Sequence, residues 1–300
     1  MTEKLSVREF FARFPTDDAC LEHLMEVRYG LRHECAVCKK SKRAEDRKAW
    51  TFHRLADRKA FSCANCGHHI YPQAGTIFQD SRTSLQLWYY AIFQFVTTRH
   101  GVSGMELHRS LGVTRKTGYR VGQQIRKLMA KADGFEVMQG HVESDESYMG
   151  GVRKGVGKLG RGTPGKTIVM GIKERGGRMH AEVIPDVKTG TIRQVILKHV
   201  AEGTTVSTDE LGSYSLLGTT GYKQGRVKHS KMEWARTDDD GVTHHVNHVE
   251  SFWRLFKNSV RSTHIHVSPK YMDRYLKEFT FRANHREMKN AMFDFLIAAV

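Results

Sequence analysis

Hydrophobic residues in the second half of the chain follow the periods of strands and helices. β-Branched and alternating runs at residues 141–148, 166–173 and 179–185 predict three strands. A helical stretch follows at residues 191–200, and residues 204–208 predict a fourth strand that ends at Asp209. Three strands, a helix, another strand and further helices indicate a mixed α/β sheet with flanking helices.

Residues 247–260 have the pattern of an amphipathic helix. Its apolar face consists of Val249, Phe252, Trp253, Phe256 and Val260. A second face consists of Asn247, Glu250, Arg254 and Lys257. If the apolar face packs on the sheet, the helix presents Glu250 or Asn247 towards the strand ends. Taken by itself, the Glu250–Arg254 spacing also fits a solvated ion pair.

Residues 84–97 are strongly apolar and aromatic, which predicts a buried helix. A capping box at residues 103–106 begins a second helix, and Thr114 caps a third that runs from residue 115 to residue 128. This order is typical of a helix-turn-helix, although a plain helical hairpin has the same pattern. In the first case the recognition helix contacts DNA through its first turns, which contain Arg115, Lys116, Thr117 and Arg120.

Four of the five cysteines form two closely spaced pairs. Cys35-x-x-Cys38 and Cys63-x-x-Cys66 each make one knuckle, and four thiolates complete a tetrahedral shell around Zn²⁺. The alternative is a set of four unrelated thiols. A closed shell is structural, so we expect a zinc ribbon that grips DNA or a partner chain and does no chemistry.

The charge of the chain indicates a polyanionic partner. There are 48 Lys and Arg residues against 32 Asp and Glu residues, which gives a formal net charge of +16. No apolar run reaches the roughly 18–20 residues that span a bilayer, and the first 25 residues lack a signal-peptide pattern. We expect a protein of the cytosol with no membrane partner.

A glycine-rich basic stretch separates the first two predicted strands. Its residues 160–167 fit the Walker A pattern, which binds phosphate only where a strand enters the loop and a helix leaves it. The residues after Lys166 are β-branched and predict a strand. We therefore favour a hairpin loop that contacts a DNA backbone over a nucleotide-binding loop.

Three acidic motifs occur in one order along the chain. Asp145 lies in D-E-S-Y-M-G-G, Asp209 in T-D-E and Glu250 in N-H-V-E-S-F-W. Asp145 lies within the first predicted strand and Asp209 just after the fourth, so the two can face each other across adjacent strands. Carboxylates brought together in this way can hold two divalent cations, which cutting and joining phosphodiester bonds requires.

Three histidines precede or begin the predicted acidic helix. His244 and His248 can share a helical face, whereas the adjacent His244 and His245 cannot. A second zinc site is one interpretation of this cluster. Polar contacts near a phosphate are the interpretation that we favour.

Taken in order, these motifs resemble the zinc-ribbon insertion-sequence transposases of the IS1595 group, and the resemblance covers nearly the whole chain. It includes the cysteine pairs, the three acidic motifs, T-H-I-H-V-S-P at residues 263–269 and F-R-A-N-H-R at residues 281–286. The resemblance implies an RNase-H-like catalytic domain. It also implies that Asp145 and Asp209 bind metal.

The resemblance implies a third metal ligand at Glu250 or Asn247, because members of the group have Glu or Asn at that position. We favour Glu250, since a carboxylate brings charge to Mg²⁺ whereas an amide oxygen is neutral. Lys257, seven positions after Glu250, resembles the lysine that follows the third acid in related transposases and would steady a phosphate.

The expected organisation has three parts. Residues 1–78 contain the zinc ribbon, residues 79–134 the helix-turn-helix, and residues 135–300 the catalytic domain. The expected activity is binding of the element's terminal inverted repeats, followed by cleavage and transfer to target DNA with Mg²⁺ or Mn²⁺. The resemblance also implies a homo-oligomer on DNA in the bacterial cytosol or nucleoid. A DNA-binding regulator without catalysis and a structure-selective nuclease are the two alternatives.

Overall fold

A computed structural model describes residues 5–30, 33–40, 51–150, 165–289 and 291–300. Residue contacts divide the chain into two units. The first unit comprises Met1–Thr97, Gly104–Leu128 and Met288–Val300, and the second comprises Thr98–Ser103 and Met129–Glu287. Most of the glycine-rich stretch, with its Walker A pattern, lies outside the described residues.

The described residues form helices and strands in the following order. The helices are α1 (Val7–Arg13), α2 (Asp17–Tyr29), α3 (Ala36–Lys39), α4 (Leu85–Thr97), α5 (Gly104–Leu111), α6 (Arg115–Asp133), α7 (Thr189–His199), α8 (Asn247–Ser259), α9 (Pro269–Asn284) and α10 (Ala291–Ala298). The strands are β1 (Phe52–Leu55), β2 (Ala60–Cys63), β3 (His69–Ile70), β4 (His141–Met149), β5 (Thr167–Glu174), β6 (Met179–Ile184), β7 (Thr205–Thr208), β8 (Lys223–Arg226), β9 (Arg236–Thr237) and β10 (Thr243–His244). Among the helices described, none has the length and apolar character needed to cross a membrane.

The first unit has an aromatic core around α4, which confirms the prediction of a buried helix there. Phe10 of α1 packs against Phe93 of α4 and Phe293 of α10, with ring centroids 5.0 and 6.0 Å apart. Phe14 contacts Tyr89 at 5.1 Å. These buried rings join helices from both ends of the sequence into one core.

Helices α5 and α6 approach each other closely. A side chain on Gly118 would come within 2.5 Å of the carbonyl oxygen of Gly104, so only glycine allows this contact. Thr114 caps α6 as predicted, because its Oγ1 accepts from the Thr117 amide at 3.2 Å. The helix runs past the predicted end at Leu128, since Met129 is also buried and continues its apolar face.

The second unit is built on a five-stranded mixed sheet with the order β6-β5-β4-β7-β8. Strand β5 pairs antiparallel with both β6 and β4. Strand β7 pairs parallel with β4, and β8 pairs parallel with β7. The predicted strands all form, within two residues of the expected ends. The strand β5 that follows Lys166 excludes the helix that a Walker A loop needs. A mixed sheet with flanking helices is compatible with the RNase-H-like fold that the resemblance implied.

Each face of this sheet has its own hydrophobic core. Helices α8 and α9 cover one face, where Trp253 and Phe256 of α8 pack with Val169 and Met179 of the sheet. Helix α7 covers the other face, where its apolar residues pack against alternate residues of the same strands. The alternation of side chains along each strand accounts for the two cores.

Helix α8 lies directly on β5 at Gly171. A Cβ on Gly171 would lie 2.6 Å from Trp253 Cζ2, 2.9 Å from Met179 Cε and 3.0 Å from Val249 Cγ2. The missing side chain therefore sets how closely the helix approaches the sheet.

The buried carboxylate of Glu143 on β4 anchors the first turn of α8. Its oxygens accept hydrogen bonds from the His248 amide at 2.9 Å, from His248 Nδ1 at 2.7 Å and from Arg175 Nε at 3.0 Å. His245 Nδ1 also lies 3.0 Å from Oε1. A negative charge is stabilised at a helix N-terminus, and here it is fully buried and paired with a guanidinium.

We expect Gly171→Ala to lower the free energy of unfolding by about 1–3 kcal/mol, because the added methyl group overpacks the interface between α8 and β5. Gly190→Ala is the matched control, since a Cβ there meets nothing within 4 Å and the position is helical. It should be neutral or slightly stabilising. Urea denaturation of both variants measures the difference, and equal stabilities would contradict the close packing.

We expect Glu143→Ala to lower the free energy of unfolding by about 3 kcal/mol, because it leaves Arg175 and the first turn of α8 without their shared acceptor. Glu136→Ala is the control. Glu136 also pairs with an arginine, Arg178, at 3.2 Å, but its side chain is 69% exposed, so its loss should cost less than about 1 kcal/mol. Denaturation curves that shift equally for both variants would show that Glu143 is no anchor.

Candidate active site

The parallel pairing of β4 and β7 brings the first two acidic motifs together. Ser144 of β4 is in register with Thr208 of β7, so Asp145 and Asp209 follow at the same edge. Ligand oxygens of Asp145, Asp209 and Glu146 all lie within 4.8 Å of one another. The expectation that the two aspartates face each other across adjacent strands is therefore confirmed, and Glu146 joins them.

Backbone and side-chain hydrogen bonds fix the positions of these acids. The Leu211 amide donates to Asp209 Oδ1 at 2.9 Å and holds the turn that follows β7. The hydroxyl of Tyr214 donates to Glu146 Oε2 at 3.3 Å. Tyr214 is fully buried, and burial raises its pKa well above the ordinary value, so it remains a donor.

Helix α8 places Glu250 in the wall of a cavity that Asp145 also lines. The cavity has a volume of about 350 Å³, and its walls are formed by Asp145, Glu146, Ser147, Glu250, Trp253, Arg254, Lys257, Asn258 and Arg261. Asn247 is exposed in the first turn of α8 and is not part of these walls. Of the two candidates for a third ligand, Glu250 is therefore the one that lines the cavity with Asp145.

The carboxylates of Asp145, Glu146, Asp209 and Glu250 repel one another. Burial raises the pKa of Asp145 well above its usual value, and the nearby carboxylates of Glu146, Asp209 and Glu250 raise it further. A divalent cation relieves this repulsion and prefers carboxylate oxygens as ligands. The donor set and its excess negative charge therefore fit a divalent metal ion.

Cationic side chains stand beside the acids. Burial lowers the pKa of Lys257, and the neighbouring charges of Arg261 and Lys166 lower it further, while Asp145 acts in the opposite direction. A second cavity of about 540 Å³ shares Glu146, Ser147, Lys257 and Arg261 with the first and includes Lys166 and His266 in its walls. An anionic substrate would meet positive charge next to the carboxylates.

The three histidines near α8 make structural contacts. His244 lies in β10, outside the helix, so it does not share a helical face with His248 as the sequence suggested. Its ring nitrogens contact Ser207 Oγ and Asp238 Oδ2, each at 2.9 Å. His245 and His248 approach Glu143, whose Oε1 already accepts from Arg175. The rings of His245 and His248 therefore belong to the anchor of α8, and with Glu143 they form a group whose ligand atoms all lie within 4.8 Å of one another.

Two residues of this region escaped the sequence analysis. Glu146 immediately follows Asp145, and because strand alternation places neighbours on opposite faces, the sequence pattern does not predict that both acids meet. Glu143 was passed over because an acid on a strand looks the same whether it is buried or exposed. The available signal for Glu143 was its position two residues before Asp145, which places both on one face of β4.

The four paired cysteines converge in the first unit. Cys35 Sγ lies 3.5 Å from Cys66 Sγ, and Cys38 Sγ lies 3.8 Å from Cys63 Sγ. Zinc–sulfur bonds of about 2.3 Å place tetrahedral sulfur ligands roughly 3.8 Å apart. The group is carried by α3 and by the small antiparallel sheet β1-β2-β3, and its geometry fits a metal ion.

The predicted DNA-contacting residues occupy the first two turns of α6. Arg115, Lys116 and Arg120 are exposed and Thr117 is half-buried. The guanidinium carbon of Arg120 lies 5.5 Å from the centre of the Trp88 ring, which orients that side chain by a cation–π contact. The three basic side chains are therefore accessible to a ligand that binds the first unit.

Comparison with known proteins places this site in a family. Residues 137–284, which contain all three acidic motifs, match the ISXO2-like transposase domain. An uncharacterized protein in transposable element ISH50 of Halobacterium salinarum is 28% identical over 275 residues, which is 86% of this chain and 88% of that protein. An uncharacterized transposase-like protein of Haemophilus influenzae is 25% identical over 113 residues, or 38% of this chain and 86% of that protein. The acidic motifs thus lie at one edge of a mixed sheet within an ISXO2-like transposase domain, and this match together with the two relatives supports an IS1595-type transposase.

Proposed function

We propose that this protein binds the ends of its insertion sequence, cuts the DNA there and joins the freed 3′ end to target DNA, using divalent metal ions. The observation that carries the proposal is the position of Asp145, whose ligand oxygen lies within 4.8 Å of that of Asp209 and which lines one cavity together with Glu250 and Lys257. An RNase-H-like catalytic domain that begins at residue 135 would account for the sheet order and for the position of the acids. The sequence predicts that this domain extends to residue 300, but Met288–Val300 belong to the first unit, where Phe293 packs against Phe10.

Asp145, Asp209 and Glu250 would hold Mg²⁺ or Mn²⁺. Such ions lower the pKa of a bound hydroxyl and stabilise the charge that develops on the leaving oxygen of a phosphodiester. We favour Glu250 over Asn247 because Glu250 lines the cavity and contributes to the raised pKa of Asp145. Glu146 lies close enough to be a further ligand and is oriented by Tyr214.

The remaining residues of the cavity would bind and orient DNA. Lys257 and Arg261 stand beside the acids and would contact phosphate oxygens next to the bond that is cut. The half-buried position of Lys257 excludes part of the solvent, which strengthens its attraction to phosphate. No side chain is needed as a nucleophile, because water attacks first and the freed 3′-hydroxyl attacks second.

The first unit would supply the recognition of the element's ends. The zinc ribbon in residues 1–78 and the helix pair in residues 79–134 both carry basic surface, and Arg115, Lys116, Thr117 and Arg120 would contact DNA from α6. Two ends must be brought together for transposition, so we propose a homo-oligomer on DNA. The reaction would take place in the bacterial cytosol or nucleoid.

We expect Asp145→Asn and Asp209→Asn to reduce cleavage of the element's ends by at least about 100-fold, because each removes a charged metal ligand. DNA binding should stay within about twofold of the unchanged protein, since binding resides largely in other residues. The measurement is incubation with Mg²⁺ and a plasmid that carries the gene with its native flanks, followed by sequencing of every new junction. Binding without any cut by the unchanged protein would favour a regulator, and cuts without joining would favour a nuclease.

The same assay distinguishes the two candidates for the third ligand. Glu250→Gln should lose cleavage as severely as Asp145→Asn, whereas Asn247→Ala should retain it within about tenfold. The reverse result would assign the third ligand to Asn247. Both side chains belong to the first turn of α8, so the two variants are matched in position.

We expect one zinc ion per chain, bound by the four paired cysteines. Cys38→Ser should lose the ion and unfold the ribbon, because the buried Cys38 thiolate completes the shell. Cys20→Ser is the control, since Cys20 is also buried but lies in α2, outside the cysteine group. Metal analysis of the purified variants measures the difference, and equal zinc content in both would contradict the assignment.

A further inference from the structure

A short basic segment, residues 228–236, is tethered to two of the three acidic motifs. Ser230 Oγ donates to Glu210 Oε2 at 2.5 Å, and Glu210 directly follows Asp209. His229 Nδ1 lies 3.7 Å from Glu250 Oε1 on α8. The segment is therefore bonded to the residue that follows Asp209 and lies close to Glu250 on α8.

Internal hydrogen bonds close this segment into a fixed turn. The Glu233 amide donates to the Lys228 carbonyl at 3.2 Å, and the Lys228 amide donates to Glu233 Oε2 at 3.0 Å. The Met232 amide donates to the His229 carbonyl at 3.0 Å. A turn fixed in this way presents its outer side chains without further ordering, which lowers the entropic cost of binding.

The turn presents two large apolar side chains to solvent. Trp234 is 58% exposed and Met232 is 78% exposed, and Met232 has a left-handed backbone with φ of 60°. The Trp234 ring packs against His229 with centroids 4.9 Å apart, so one edge of the indole is supported while much of it remains open. Residues with this backbone strain are concentrated at functional sites.

We propose that Trp234 stacks on a DNA base next to the phosphodiester that the acidic site holds. This inference rests on the proposed function and adds a DNA contact beside its acidic site. The indole packs against His229, and His229 Nδ1 lies 3.7 Å from Glu250 Oε1, so a nucleotide whose phosphate lies at the carboxylates would have its base within reach of this ring.

The chemistry of the turn favours a nucleic acid over an apolar protein partner. Lys228, Lys231 and Arg236 are exposed around Trp234 and would contact phosphates on either side of the stacked base. Aromatic rings between basic residues are typical of surfaces that bind unpaired nucleotides. Because every base has a π face, the contact would tolerate different sequences.

The test uses Asp145→Asn protein, so that the DNA remains uncut, and duplexes that have a few unpaired nucleotides at the element's end and carry 2-aminopurine at single unpaired positions. At one position we expect fluorescence quenching that disappears with Trp234→Ala and persists with Trp234→Phe. The affinity for DNA should fall roughly 5- to 150-fold with Trp234→Ala, as expected for one lost stack. Trp234 is exposed, so the substitution should leave the fold intact.

Phe135→Ala is the matched control. Phe135 is an aromatic residue of the same unit and is 59% exposed, but it packs against His199 of α7 and not against the acidic site. It should change neither the quenching nor the affinity. Quenching that is identical with and without Trp234 overturns the proposal. So does a Trp234→Ala variant that changes self-association alone, because that result assigns the turn to a protein contact.

The two proposals fail in different ways. If the protein with intact Asp145 binds the element's end but never cuts it, the proposed function fails, while the quenching pattern still decides whether Trp234 stacks. If cleavage is found but no position responds to Trp234→Ala, the stacking contact is wrong and the transposase function stands. If neither the protein with intact Asp145 nor the Asp145→Asn protein binds DNA, both proposals are overturned.

Discussion

The Glu143 carboxylate accepts hydrogen bonds from the first turn of α8 and from Arg175, and this buried interaction fixes where α8 begins on the sheet. Glu250 follows in the same turn, so its position depends on that anchor. Gly171 adds the second constraint, because it lets Trp253 touch the strand. The distance between α8 and the aspartates is therefore set by one buried charge and one missing side chain.

Glu143 and Asp145 lie on the same face of β4 but in opposite electrostatic surroundings. Glu143 is surrounded by donors, whereas Asp145 lies near three other carboxylates that raise its pKa. The fold tolerates the second arrangement because β4 is paired on both sides, which prevents the strand from moving away. Stability obtained elsewhere in the sheet thus maintains a site that is unfavourable without a cation.

The parts that the sequence predicted best depend on local patterns. The periodicity of residues 141–208 identified β4 to β7, and the CxxC spacing identified the four sulfur atoms that converge. Strand β8 was not predicted, because Lys223 to Arg226 are mostly polar and form a strand only by pairing with β7. The anchor of Glu143 and the tethers of residues 228–236 were not predictable either. Both join segments far apart in sequence, and such contacts leave no periodic trace.

The residues on either side of the glycine-rich stretch belong to one antiparallel ladder, in which Met149 pairs with Thr167. Gly150 and Lys166, just outside this pair, both line the larger cavity. The strands remain paired up to Met149 and Thr167 whatever lies between Gly150 and Lys166. Residues can therefore be gained or lost there at small cost to the sheet, since the free energy of loop closure depends only weakly on loop length. Evolution can therefore change the number of residues that join Gly150 to Lys166 while the carboxylates keep their places.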